Sequence, residues 1–184
     1  GIENVIMVDA PGYAQDVENM VKAIPGIQAA DPTGQIMFSI HAYASAAKDE
    51  ATVTSNMNAA IGSGACICIG EFGWYHSGVR SAFEKLMEVC ADENIGTFAW
   101  SWGGNEQSAG DMQLDMVDSL DTMNLSAWGT QIFGGEYGIQ ATSKMAYTGK
   151  SYTGTIVEVE DLVTPATTQA PTVEVPDDNG IDID

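Results

Sequence analysis

Four short runs of apolar, β-prone residues punctuate this chain: Val5–Asp9, Ile36–His41, Cys66–Glu71 and Thr97–Trp102. They begin at positions 5, 36, 66 and 97, a period of about 31 residues. That spacing is too long for a hairpin and matches the dozen or more residues a parallel crossover needs. The intervening stretches carry helical spacing. Val17, Met20, Val21 and Ile24 form one stripe, which Pro25-Gly26 is expected to end. Thr52 to Ile61 forms a second, with Gly62 as its expected stop, and Val79, Phe83, Leu86, Met87 and Cys90 form a third. An irregular stretch follows over 103–123, then a short helix from about Ser126 to Phe133. Strand, helix, strand at this period predicts an α/β fold with βα units on a parallel sheet.

Each run is apolar until its carboxyl end, where Asp9, His41 with Tyr43, Glu71, and Trp100 with Trp102 appear. In parallel α/β folds chemistry is placed at that end of the strands. Strict alternation assigns Ile67, Ile69 and Glu71 to one face and Cys66, Cys68 and Gly70 to the helix-facing one. It likewise aligns Met37, Ser39, His41 and Tyr43, and Phe98, Trp100 and Trp102. If the sheet curls into a barrel, Glu71, His41, Tyr43 and Trp100 converge over its mouth.

The chain has 184 residues, of which 45% are hydrophobic, enough to bury a core. Six Lys and Arg face 26 Asp and Glu, a net charge of −20. Such a chain repels phosphate backbones and lacks a basic surface helix, which argues against nucleic-acid and membrane partners. Residues 156–184 hold eight acids and no base, with Thr and Pro in place of large apolar side chains. They read as a disordered, acidic linker or tail leading to a further module, and residues 1–155 as the folded part. Thr/Pro linkers of this kind fit a secreted protein. The opening Gly-Ile-Glu-Asn reads as a cut inside a longer protein. Three Cys make no disulfide framework, and Asp177-Asp178-Asn179-Gly180 has the wrong spacing for a calcium loop. Asn124-Leu125-Ser126 fits a glycosylation acceptor but stands where a helix cap is expected.

Ile69-Gly70-Glu71-Phe72-Gly73 is the most informative segment. It sets a carboxylate at the end of a buried strand between two glycines, which admit a second backbone or a ligand. A buried structural Glu needs a basic partner, and the chain has a single Arg. A rigid carboxylate also suits nucleophilic attack on an anomeric carbon. Spacing alone leaves the catalytic and structural roles level.

With its neighbours, this segment resembles the nucleophile strand of glycoside hydrolase family 5. Ile6-Met7-Val8-Asp9-Ala10-Pro11-Gly12-Tyr13-Ala14-Gln15-Asp16 is similar to the fifth strand and loop of the family's bacterial β-mannanases. Phe38-Ser39-Ile40-His41-Ala42-Tyr43 is similar to the sixth-strand His-x-Tyr, and Phe98-Ala99-Trp100-Ser101-Trp102-Gly103-Gly104-Asn105 to the eighth-strand segment. Asn124-Leu125-Ser126-Ala127-Trp128-Gly129, Gly138-Ile139 and Thr142-Ser143 complete the match, over roughly residues 4–145. The resemblance implies the carboxyl-terminal four units of a (β/α)8 barrel glycosidase. Such a barrel needs about 250 residues, so the amino-terminal half is a missing partner.

The resemblance implies Glu71 as nucleophile, Tyr43 as its hydrogen-bond donor and His41 as an active-site histidine. It implies Trp100 as the platform under the sugar being cleaved, a flat ring against a pyranose's sheet of C–H groups. Trp102 shares that face one step out, suited to sugar or to packing under loops. Trp74, with Tyr75 and His76, follows the nucleophile as a candidate sugar contact, at a position where this branch more often carries His. Asn105 suits a substrate hydroxyl and a loop cap equally, and Tyr13 is a further candidate contact. No cofactor or metal is implied. The substrate is expected to be a β-mannan, with a β-glucan as the alternative, and a non-catalytic carbohydrate-binding fragment as a different class of reading. The family's acid/base Glu ends the fourth strand, which would precede Gly1. Glu106 follows Asn105 on the wrong strand for that role. The fragment alone is therefore expected to be inactive.

Overall fold

The computed structural model describes residues 4–105 and 111–143, all within one compact unit, Gly1–Lys144. The expected linker over 156–184 and Glu106 lie outside the described residues. The chain begins with strand β1 (Ile6–Asp9), then a tight turn α1 (Pro11–Ala14) and helix α2 (Val17–Ala30). Strand β2 (Ile36–Ala42), helix α3 (Glu50–Gly62) and strand β3 (Ile67–Phe72) come next. A two-stranded antiparallel ribbon, β4 (Tyr75–His76) and β5 (Val79–Arg80), separates β3 from helix α4 (Phe83–Asp92) and strand β6 (Gly96–Ala99). Helices α5 (Ala127–Gly134) and α6 (Ile139–Thr142) close the described chain.

The main sheet runs β1-β2-β3-β6 with every pairing parallel, as the 31-residue period demands. Sequence neighbours are sheet neighbours, so the strands follow one another in a single sense. Among the described residues β1 and β6 each have a strand on one side only. Their apolar side chains stand partly in solvent: Met7 is 49% exposed and Phe98 58%.

The core lies between the sheet and its helices. Val17, Met20 and Ile24 of α2, Val53, Met57 and Ala60 of α3, and Phe83, Leu86 and Cys90 of α4 are all buried. They meet Phe38, Ile40 and Ala42 of β2 and Ile69 and Phe72 of β3, with Trp128 and Ile132 of α5 closing one end. Asp16 and Asp49 cap α2 and α3, their carboxylates accepting the backbone N–H of Asn19 and Thr52. Hydrogen bonds from Asn19 and from Thr52 hold those two carboxyls below the usual range. Ser126 caps α5 by accepting from the Gly129 N–H at 3.1 Å. The cap expected near Asn124 is thus Ser126, while the Asn124 side chain donates to Asp118.

Several local expectations are corrected. Helix α2 does not stop at Pro25-Gly26 but runs on to Ala30. Burial of Ile24 and partial burial of Ile27 against the core outweigh the missing Pro25 donor. Gly62 is the last helical residue, and Gly64, at φ +70°, takes the left-handed turn that ends the segment. Val79 is not part of the α4 stripe; it pairs with His76 in the ribbon and is half exposed. The fourth strand ends at Ala99, short of both tryptophans.

The largest correction concerns face assignment in β3. Ile40 pairs with Ile69, but His41 pairs with Glu71 and Ala42 with Phe72. On the other side Ile69 pairs with Thr97 and Phe72 with Ala99. Strand β3 therefore holds one residue more than either neighbour between Ile69 and Phe72, which is a bulge. Ile69 consequently faces the helices, fully buried, rather than sharing a face with Glu71. Cys68 lies on the opposite face, itself buried, its Sγ 3.5 Å from the Met7 Sδ across β2. Burial pushes the Cys68 thiol up, and pushes Cys90 on the helix side up to about 12.

Candidate active site

The carboxyl ends of β1, β2 and β3 bring three titratable groups together on one face of the sheet. Glu71, its side chain 30% exposed, accepts a hydrogen bond from the Tyr43 hydroxyl at 3.2 Å. The same carboxylate oxygen, Oε2, lies 3.4 Å from His41 Nδ1. The other nitrogen of that imidazole, Nε2, lies 3.7 Å from the Asp9 carboxylate. Asp9, His41 and Glu71 thus form a line across three neighbouring strands. Tyr43 is itself held: its ring is buried, with the His76 ring 5.0 Å away between centroids. A carboxylate with a phenol on one side and an imidazole on the other has its plane set before any substrate arrives.

The bulge is what permits this. Alternation would give Glu71 the face of Ile69; the surplus residue, Gly70, turns it to the face of His41. Gly70 is also where the backbone has no room. A Cβ built there would stand 2.1 Å from Ser39 Oγ and 3.4 Å from His41 Cδ2. Replacing Gly70 by Ala is therefore expected to destabilise the chain by about 1–3 kcal/mol through overpacking. Adding Ser39→Ala removes the clashing hydroxyl and should restore most of the loss. Urea unfolding of the single and double variants checks both; additive losses would place the strain elsewhere.

Trp100 follows β6 directly, and its backbone N–H donates to the Phe72 carbonyl at 2.8 Å, next door to Glu71. The Trp100–Ser101 peptide is cis. The indole is 42% exposed, and its Nε1–H donates to Asn105 Oδ1 at 3.1 Å. Asn105 donates in turn from its side-chain nitrogen to Ser101 Oγ at 2.8 Å and to Asp115, and its backbone N–H also reaches the Asp115 carboxylate. Its amide is engaged within the protein, on the loop and on the indole.

Glu71, His41 and Tyr43 are thus gathered in one cluster, and Trp100 and Asn105 in an adjoining one. Three other candidates part from them. Trp74 packs into the core: its ring stacks on Trp128 at 5.7 Å and meets Phe83 edge-on, while its indole N–H donates to the Gln113 carbonyl. A tryptophan directly after a strand end can turn inward as readily as outward, and here the gap beside Trp128 takes it. Trp102 lies past the end of β6, so strand alternation does not extend to it; its ring meets Phe133 edge-on at 6.1 Å. Tyr13 sits on the left-handed turn after β1, 94% exposed. Sequence reasoning passed over Asp9 as a site residue although it ends a strand, and missed Asp115, which lies in a stretch with no periodicity to flag it.

Among the described residues no group of three His, Cys, Asp or Glu is arranged to hold a metal ion. Asp9, His41 and Glu71 are set at ion-pair distances, with the imidazole between two carboxylates.

The family described as cellulase, glycosyl hydrolase family 5, matches residues 1–106. A mannan endo-1,4-β-mannosidase of Streptomyces lividans is 36% identical over 79% of this chain, and 38% of that protein is covered. A β-mannanase/endoglucanase A of Caldicellulosiruptor saccharolyticus is 36% identical over 70% of the chain and 10% of its own length. Among solved structures, the β-mannanase of Thermomonospora fusca superposes with a TM-score of 0.72 at 39% identity, over 78% of this chain and 47% of that one. That enzyme has also been solved as a mannohexaose complex. The chain thus spans less than half the length of each of these three proteins.

Proposed function

Because the chain belongs to the cellulase family of glycoside hydrolases, family 5, we propose that it is the carboxyl-terminal half of a retaining endo-β-1,4-mannanase. The observation that carries this reading is the Glu71 carboxylate, oriented by Tyr43 and His41 at the end of β3. In the proposed reaction, Glu71 attacks the anomeric carbon and the glycosidic C–O bond breaks as an acid elsewhere protonates the leaving oxygen. A glycosyl ester forms on Glu71; the residue that gave up its proton, now a base, then deprotonates a water that attacks the anomeric carbon, breaks the bond to Glu71 and releases the sugar with retained configuration. Trp100 forms the floor of the subsite where the sugar distorts.

Retaining hydrolysis needs two carboxyl groups about 5–5.5 Å apart. Asp9, the other carboxylate of the cluster, is turned to the far nitrogen of His41, so it is not placed as that acid. The acid/base in this reading is a Glu on the amino-terminal half, which completes an eight-stranded barrel by pairing with the free edges of β1 and β6. No cofactor takes part. The Thr/Pro-rich composition of 156–184 supports a secreted enzyme whose barrel is tethered to a further module.

A second reading, an endo-β-1,4-glucanase, draws support from the family's name and from the bifunctional Caldicellulosiruptor relative. Reducing-end release by the full-length enzyme from mannan and from carboxymethylcellulose separates the two. Mannan is expected to be preferred by at least about tenfold, a discrimination of about 1.4 kcal/mol in the transition state. Equal or greater release from the cellulose derivative replaces the mannanase reading with the glucanase one.

A further inference from the structure

We propose that Asp115 is a positioning residue for Trp100, acting through Asn105; this rests on the reading of Trp100 as the sugar platform. Trp100 is 42% exposed, so packing alone does not fix the plane of its ring. What fixes it is a chain of hydrogen bonds with only one consistent polarity. An ionised carboxylate can only accept, so Asn105 must turn its amide nitrogen toward Asp115. Its carbonyl oxygen is then left facing the Trp100 Nε1–H, at 3.1 Å. The carboxylate thereby selects which end of the amide meets the indole.

Asp115 is itself anchored. Its backbone carbonyl accepts from the Ser126 hydroxyl at 2.6 Å, and Ser126 is the cap of α5. The same helix grips Trp100 by a second route, since Trp128 Nε1 donates to the Trp100 carbonyl at 2.9 Å. Helix α5 thus holds the platform residue at both ends: its backbone through Trp128, and its ring through Ser126, Asp115 and Asn105. These bonds are made at the indole N–H and at the backbone, and Trp100 remains 42% exposed.

The test uses ¹⁵N-labelled chain, with the Trp100 indole N–H signal assigned by its loss in Trp100→Phe. In Asp115→Ala that signal is expected to shift and its hydrogen exchange to quicken at least about tenfold, while the Trp128 signal keeps its position and rate. Asp115→Asn, which still offers an oxygen to Asn105, should return the exchange rate to within about threefold of the parent chain. A Trp100 signal unmoved by Asp115→Ala overturns the proposal, as does equal loosening of Trp128, which would make Asp115 a merely structural residue. In the full-length enzyme, Asp115→Ala should lower kcat about tenfold with KM within about twofold, because the misplaced ring is one of many sugar contacts. If the parent enzyme cleaves neither mannan nor cellulose, the mannanase reading fails, and the indole measurement still decides whether Asp115 holds Trp100.

Discussion

Full-length enzyme carrying Glu71→Gln is expected to lose turnover of mannan by a factor on the order of 10⁴ or more, the scale seen when a covalent nucleophile is removed. Gln preserves the shape of the side chain and can still accept from the Tyr43 hydroxyl, so its thermal melt should match the parent's. What it lacks is the anionic oxygen that forms the glycosyl ester. Glu71→Ala should be equally inactive but partly rescued by azide, a small anion that fits the vacated space. The azide product should carry inverted configuration, because one displacement has replaced two. Product stereochemistry followed by NMR makes the distinction directly. A Glu71→Gln enzyme with parental rates on both mannan and cellulose would remove Glu71 from the mechanism.

The 184-residue chain by itself should release reducing ends from mannan at least 10²–10⁴-fold more slowly than the full-length enzyme, the range that general acid help alone supplies. Loss of the substrate contacts on the other half adds to this. Mixing the chain with a separately produced amino-terminal half should recover activity in proportion to the complex formed, since among the described residues the outer edges of β1 and β6 carry no strand. Initial rates against the ratio of the two halves provide the measurement. Turnover by the isolated chain at more than about one-hundredth of the full-length rate would mean that a carboxylate within it serves as the acid.

Much of this architecture is legible in the sequence because two regularities coincide there. The 31-residue period announces βα units, and each apolar run gives way at its carboxyl end to polar or aromatic residues where chemistry belongs, so Glu71, His41 and Tyr43 group together from sequence. What escaped are features set by tertiary accommodation. The bulge at Gly70 reverses the faces of Ile69 and Cys68, and nothing in the local pattern separates a strand glycine that packs closely from one that is surplus. Pro25 marks a helix end by propensity, yet the burial of Ile24 carries α2 past it. Trp74 carries a sugar-binding residue type but fills a gap beside Trp128 and Phe83, a vacancy created by helices far along the chain. Asp115 belongs to a stretch without period, and only the folded loop reveals that its carboxylate reaches Asn105.

The surplus residue in β3 also governs how the nucleophile's height above the sheet is defined. Strands paired in plain register can slip by two residues and recover both their ladder and their faces. Strand β3 cannot do so without carrying its mismatch into Ile67 or past Phe72, because both flanking strands count one residue fewer over the same stretch. The axial position of Glu71 is therefore set by backbone counting rather than by the fit of any one side chain. Drift in the hydrophobic layer beneath, at Ile69 or Phe72, would erode stability well before it displaced the carboxylate. Substitutions on the helix side of β3 are thus expected to change stability before they move Glu71.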